Sequence, residues 1–310
     1  MNNTLIAIGR SKLLYDSIIY LKNNGYIFKA IITDKAYGEY DIKEDDFEKL
    51  AEDISARFYL TNNLSLHNIK QLIINENIDL AISANWKYIF ESSFLDLFRN
   101  GILNLHLGNL PNYKGNATVN WAIINGETYI YASILKMTID LDAGDIISKA
   151  KIEITENTYI GDILDKVKEL APILFEEAIK KTRENPNYFL ETGTKRGLRC
   201  YPRLPENSQI NWFDSGENIS RLIRASSRPY SGAYTFFDNK KIIIWRANIV
   251  RPENSFLAVP GHIVETDKES GSVFVACKDS FLEVTEIEVG KDILKSASFL
   301  KSIRLRFHSC

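Results

Sequence analysis

Cysteine is scarce: Cys200, Cys277 and Cys310 are three in 310 residues, odd in number and far apart. That pattern fits reduced thiols in a cytoplasmic protein that holds no metal better than it fits a disulfide framework or a zinc site. No apolar run approaches the roughly 18 residues of a membrane span. The N-terminus MNNTLIAIGRSK runs straight into a strand pattern, so no membrane association is expected. Positive charge is not in excess either. The formal net charge of -2 leaves no global field to draw the chain to nucleic acid or an anionic surface. The first turn, AIGRSKLL, has one glycine and not the spaced three of a dinucleotide fingerprint. Internal repeats and low-complexity segments are absent. What remains, 45% hydrophobic and 25% charged residues, is a globular chain long enough for about two cores.

The first 185 residues alternate short apolar runs with amphipathic stretches, which predicts a doubly wound α/β domain with a parallel-rich sheet. Thr4 to Ile8, YIFKAIIT, DLAIS and GILNLH read as strands. Ser11 onward, the segment around Phe47 to Phe58, SLHNIKQLIINENI and SSFLDLF read as helices. Ligands of such sheets sit beyond the carboxyl ends of the strands, where strand order reverses. Residues 186–206, rich in Pro, Gly and charge, read as a connector. Residues 207–310 hold one amphipathic helix, ISRLIRAS, and then short strands at 8 to 15 residue spacing, as in a small β-barrel.

One stretch asks for chemistry. In NLHLGNLPNYKG, Asn104 and His106 alternate to the same side at the carboxyl end of a strand, where a ligand is expected. Downstream, IDLDAGDII supplies Asp140, Asp142 and Asp145 around a glycine. Loop aspartates commonly form turns, yet one of them reaches an Asn–His pair if the two strand ends are neighbours. An amide, an imidazole and a carboxylate with no Ser or Cys nucleophile suit acyl transfer to an external amine. Such a reaction needs a proton acceptor and a donor to the developing oxyanion.

NLHLGNLPNYKGNATVNWAIINGE followed by LDAGDII resembles the folate-dependent formyltransferase family. The resemblance implies a Rossmann-like domain, 10-formyltetrahydrofolate as formyl donor, and a catalytic trio that falls on Asn104, His106 and Asp142, the aspartate directly before the x-Gly pair. INWFDSGENISRLIRASSRPYSGAYTFFDNKKIIIWRA is similar to the OB-like C-terminal barrel shared by methionyl-tRNA formyltransferases and sugar-nucleotide N-formyltransferases. By its offset from Asn104, SANWKYIFESS matches the loop that wraps the folate. This implies Trp86, Tyr88, Ile89, Phe90 and the backbone near Leu141 as folate contacts. The first turn faces the acceptor's phosphate side in that family, which implicates Arg10, Ser11 and Lys12. The sequence departs from the family at Leu107-Gly108-Asn109 and Tyr131-Ala132-Ser133, which alters the acceptor pocket and makes Asn109 and Asn116 candidate sugar contacts.

Charge separates the two acceptor classes. Where the tRNA enzymes carry a basic insertion after the second strand, Asp34 to Asp53 holds nine acidic residues against three lysines. That surface repels a tRNA acceptor stem, whose binding depends on neutralised phosphates. From Pro205 onward the 14 Lys/Arg and 13 Asp/Glu offer little compensation. The expectation is therefore a nucleotide-linked amino-deoxysugar as substrate, for surface glycan biosynthesis, and no nucleic-acid partner. Methionyl-tRNA is the alternative acceptor, and a non-catalytic folate-binding protein a further one. A homodimer through the barrel or a strand edge is open.

Overall fold

Runs of buried aliphatic residues make the strands of the first unit, because a strand covered on both faces has no polar side to present. The structure, a computed structural model, describes residues 3–36, 41–250 and 256–308. Tyr37 to Tyr40 of the acidic stretch and Cys310 lie outside the described residues. Contacts divide the chain into Met1–Thr118, Tyr129–Ile152 and Leu164–Cys200 as one unit, and Val119–Thr128, Glu153–Ile163 and Tyr201–Cys310 as a second. Two segments that precede residue 185 thus group with the second unit.

In chain order, the elements up to residue 200 are β1 (Thr4–Gly9), α1 (Lys12–Asn23), β2 (Ile27–Thr33), α2 (Glu44–Asp53), β3 (Arg57–Leu60), α3 (His67–Asn75), β4 (Leu80–Ala84), α4 (Ser92–Leu95), β5 (Gly101–Leu107), β6 (Lys114–Gly115), α5 (Thr118–Asn125), β7 (Tyr129–Lys136), β8 (Ile146–Glu153), α6 (Ile160–Glu184) and β9 (Arg199–Cys200). The main sheet runs β3-β2-β1-β4-β5-β7-β8. Strands β1 to β5 pair in parallel, and β7 is antiparallel to β5. Order reverses between β1 and β4, which places the expected ligand crevice at Gly9 and Ala84. There the backbones nearly touch: a Cβ on Gly9, whose φ is +147°, would meet the Ala84 carbonyl oxygen at 2.0 Å.

The periodicity that joined residues 47–58 into one helix is broken in the structure. α2 stops at Asp53, Ser55 turns the chain with φ 55°, and β3 follows as a half-exposed edge strand. Four residues with no clean alternation carry no strand signal. α2 starts where Asp46 accepts a hydrogen bond from the Lys43 N–H at 2.8 Å. Its first turn, Glu44, Asp45 and Asp46, places negative charge at the positive end of the helix dipole.

The second unit adds α7 (Gly216–Ser226), β10 (Ala233–Phe237), β11 (Lys240–Val250), β12 (Ile263–Asp267), β13 (Ser272–Ala276), β14 (Phe281–Val289), β15 (Asp292–Lys295) and α8 (Ser296–Phe299). Ser215 caps α7, its Oγ accepting from the Asn218 N–H at 3.2 Å. The strands form an antiparallel sheet ordered β10-β11-β14-β13-β12, with β15 on β14. Its two edges meet through the C-terminal segment: His308 bridges Phe236 of β10, and Arg306 bridges His262 beside β12. The sheet is thereby closed into a small barrel. Ile219 and Ile223 of α7, with Trp212 and Phe307, pack into its core. Burial pushes the Cys277 thiol there up to about 12, which leaves it protonated and inert at neutral pH. No helix among the described residues is long and apolar enough to cross a membrane.

Candidate active site

β5 pairs with β4 so that Asn104 lies beside Ser83, and with β7 so that His106 lies opposite Ser133. Alternation puts Ile102, Asn104 and His106 on one face. His106 is buried, 6% exposed. Its Nε2 stands 2.8 Å from the Tyr113 carbonyl oxygen, which only accepts, so Nε2 carries the hydrogen. The nitrogen left to take a proton is Nδ1, and the Asp142 Oδ2 faces it at 3.5 Å. That same carboxylate oxygen accepts from the Gly115 N–H at 2.7 Å. Of the three loop aspartates, the structure brings Asp142 to the imidazole; Asp140 pairs with Lys195, and Asp145 accepts from the Gly193 N–H. Asn104 is half-buried, and its Nδ2 donates to the Leu105 carbonyl at 3.2 Å.

The loops around this pair hold unusual backbone. Tyr113, Ala117 and Asp142 have φ values of 57°, 51° and 45°. Such conformations persist where surrounding structure over-determines them, and they cluster at functional sites. Close approach is enforced at Gly108, where a Cβ would lie 2.5 Å from the Tyr113 oxygen and 2.9 Å from His106 Nε2. Gly144 is required as firmly, since a Cβ there would sit 1.7 Å from the Lys136 carbonyl oxygen. Beside the pair, the Ser83 and Ser133 hydroxyls are buried with no hydrogen-bond partner among the described residues.

Two further features were not singled out from the sequence. Residues 191–200, inside the stretch read as a connector, form a strap on these loops. Leu198 N–H donates to Asn112 Oδ1 at 3.0 Å, Lys114 N–H to the Leu198 carbonyl at 3.0 Å, and Asn116 N–H to the Cys200 carbonyl at 3.1 Å. Gly197 permits the contact, because a Cβ would fall 1.8 Å from the Pro111 oxygen. Beneath the strap Lys114 is 2% exposed and donates to the Thr194 carbonyl. Periodicity carries no signal for a strap made of turns and single bonds. A cavity of about 520 Å³ lies at the start of β5, lined by Leu95, Ile102, Lys136, Met137, Thr138 and Ile139 among others; Asn104, His106 and Asp142 do not line it.

The remaining expected residues separate by environment. Phe90 is 2% exposed and belongs to the core cluster of α3 and α4, with Trp86 packed against it. The Trp86 Nε1 is buried without a partner among the described residues. Tyr88 donates its hydroxyl to Asp34 at 2.8 Å, and Lys87 pairs with the same carboxylate at 2.7 Å. Burial pushes the Asp34 carboxyl up, but these two donors, with the Lys35 backbone N–H and the Lys87 charge, together hold the group below the usual carboxylate range. Ile89 and Leu141 project into solvent, 81% and 47% exposed. None of these five lines the cavity. At the switch point Arg10 turns inward, 2% exposed, and donates to the carbonyls of Asn85 and Lys35. Ser11 leads into α1 with φ 138°, and Lys12 pairs with Asp16 at 2.8 Å. Asn109 donates to the Tyr129 carbonyl at 3.0 Å, which anchors it to β7, and the Asn116 side chain is exposed.

Residues 4–179 match the formyl transferase family, and residues 204–304 match the formyl transferase C-terminal domain. The chain belongs to the formyl transferase family. It is similar to a methionyl-tRNA formyltransferase of Caldanaerobacter subterraneus, 28% identical over 292 residues that cover 92% of this chain and 91% of that one. Among solved structures it resembles an N-formyltransferase from Helicobacter canadensis in complex with folinic acid and dTDP-3-aminofucose, with TM-score 0.65, 18% identity and coverage of 92% and 99%. It also resembles HypX from Aquifex aeolicus in complex with tetrahydrofolic acid, with TM-score 0.61 and 18% identity; the match covers 96% of this chain and 46% of HypX. These two solved structures speak for the fold. Members of this family take the formyl group from 10-formyltetrahydrofolate.

Proposed function

We propose that this formyltransferase acts on the amine of a nucleotide-linked amino-deoxysugar. His106 takes the amine's proton at Nδ1, where the proton comes to lie against the Asp142 carboxylate. Asn104 swings its amide N–H from the Leu105 carbonyl to the formyl oxygen as negative charge develops there. The amine nitrogen bonds to the formyl carbon of 10-formyltetrahydrofolate, the bond from that carbon to N10 breaks, and the proton held at His106 passes to N10 as tetrahydrofolate leaves. The orphaned hydroxyls of Ser83 and Ser133 border the reacting face. The loop of Trp86, Tyr88, Ile89 and Phe90 and the backbone near Leu141 border the folate. Ser11 and Lys12 meet the acceptor's phosphates at the start of α1, and Arg10 supports that turn from beneath. Asn109 and Asn116 face the sugar.

The observation that carries the choice of acceptor is α2. The helix presents Glu44, Asp45, Asp46, Glu48, Glu52 and Asp53 against one lysine, Lys49. The neighbouring Lys87 is engaged by Asp34 as well. A tRNA acceptor stem gains most of its affinity from neutralised phosphates, and this surface opposes it. The second reading, methionyl-tRNA as acceptor, is favoured by the 28% identity to the Caldanaerobacter enzyme across 92% of the chain. A direct comparison decides between them. Purified protein with 10-formyltetrahydrofolate is expected to formylate one or more of a panel of amino-deoxysugar nucleotides and to leave charged initiator tRNA unmodified even at low salt. Turnover of the tRNA with none of the sugar nucleotides accepted would reverse the choice.

A further inference from the structure

We propose that Lys114 is a positioning residue for formyl transfer: buried under the strap of residues 191–200, it fixes the tripeptide whose backbone holds both His106 and Asp142. This inference rests on the proposed roles of that pair. Tyr113, Lys114 and Gly115 are consecutive, and the backbone groups on either side of Lys114 reach opposite ends of the site. The Tyr113 carbonyl takes the His106 Nε2 hydrogen at 2.8 Å, and the Gly115 N–H reaches Asp142 Oδ2 at 2.7 Å. A slide of this tripeptide therefore moves the imidazole and the carboxylate together. A misplacement of about 1 Å can cost about a hundredfold in rate.

The tripeptide has little regular structure to hold it. β6 is two residues long and pairs with the two residues of β9. Tyr113 and Gly115, with φ of 57° and 94°, need their surroundings to fix them. The strap provides that support on both sides of the Lys114 α-carbon. Lys114 N–H donates to the Leu198 carbonyl at 3.0 Å, and its ammonium donates to the Thr194 carbonyl four residues earlier in the strap. The side chain thus ties a second point of the strap to the same residue and resists sliding. Gly193 and Gly197 bring the strap close enough, because a Cβ would lie 2.2 Å from the Ala143 oxygen and 1.8 Å from the Pro111 oxygen respectively.

The chemistry of the group supports a role beyond packing. Burial pushes the Lys114 ammonium below its ordinary value, against the opposing pull of Asp142 and Asp140. A methionine of similar length would fill the same space without a buried charge and would often be neutral or stabilising. The ammonium is thus poorly explained as a stability device. It provides a charge-assisted bond to the strap and a positive charge near the carboxylate that faces His106.

The test is a double-mutant cycle, read with 10-formyltetrahydrofolate and an amino-deoxysugar nucleotide as substrates. Lys114→Met is expected to lower kcat about tenfold to a hundredfold, with both KM values held within about twofold. Lys114→Arg should recover part of the loss. In a His106→Ala background the same Lys114→Met change should alter the residual rate by less than about twofold, because no pair remains to be positioned. Equal losses in the two backgrounds, or an unchanged kcat in Lys114→Met, would overturn the proposal. If Lys114→Met does not fold, Asn112→Ala carries the same cycle from an exposed residue by removing the acceptor of the Leu198 N–H. A smaller kcat loss that vanishes without His106 supports the proposal, and wild-type kcat overturns it. Full activity of the single variant His106→Ala is a separate result that rejects the function of the pair itself.

Discussion

Replacing His106 by Ala is expected to lower turnover about 10²- to 10⁴-fold, the range for loss of a positioned general base. Replacing Asn104 by Ala should lower it about 10²- to 10³-fold, as for loss of one oxyanion donor. Both variants should stay folded. Removal of the imidazole leaves the Tyr113 carbonyl without this donor but does not strip Asp142, which keeps the Gly115 N–H at 2.7 Å. Among the described residues Asn104 donates only to its neighbour's carbonyl, so its truncation disturbs no distant element. The measurement is tetrahydrofolate release at saturating substrates, scaled to folded protein by circular dichroism. Turnover near wild type in His106→Ala would remove the imidazole from the chemistry. Near wild-type turnover in Asn104→Ala would leave the oxyanion to the backbone.

Strand alternation alone placed Asn104 and His106 on one face, because a period of two is rigid over three residues. From the residues alone the pairing with Asp142 was legible only as far as a loop with three aspartates, and it was the family resemblance that singled out Asp142. Its selection depends on the left-handed backbone at Asp142 and on the close fit of Gly144 against Lys136, neither of which leaves a periodic trace. The strap was harder still to read. Its residues Glu191 to Cys200 have the composition of a linker, and their function as a wall comes from bonds to Asn112, Lys114 and Asn116. Lys114 was invisible for the same reason, since a lysine between an aromatic and a glycine reads as a solvated loop residue. The inward turn of Arg10 follows from the meeting of β1 with β4, a long-range contact that no local pattern encodes. In the second unit the strands were legible from their apolar runs, whereas barrel closure by single bridges at Arg306 and His308 was not.

Trp212 and Phe213 are adjacent in sequence and are expected to differ widely in what their loss costs. Trp212 is fully buried, its ring stacked on Phe307 at 5.2 Å with an interplanar angle of 7°. Its Nε1 donates to Thr235 Oγ1 at 3.0 Å. The stack links the start of the unit to the C-terminal segment whose bridges close the barrel, so its loss affects core packing and closure together. Truncation of a buried Trp to Ala typically costs about 3–5 kcal/mol through lost transfer energy and the cavity left behind. The polar part adds little, because Thr235 retains its own donation to the His308 carbonyl at 3.2 Å. Phe213, 53% exposed, should cost within about 0.5 kcal/mol when replaced by Ala. Urea unfolding followed by the fluorescence of the remaining tryptophans reads the difference, since Trp121 and Trp245 both report from the second unit. Trp212→Ala should move the transition to clearly lower urea while Phe213→Ala leaves it in place. A shift below about 1 kcal/mol for Trp212→Ala would mean that the barrel collapses onto the vacated space and that the stack with Phe307 does not anchor its closure.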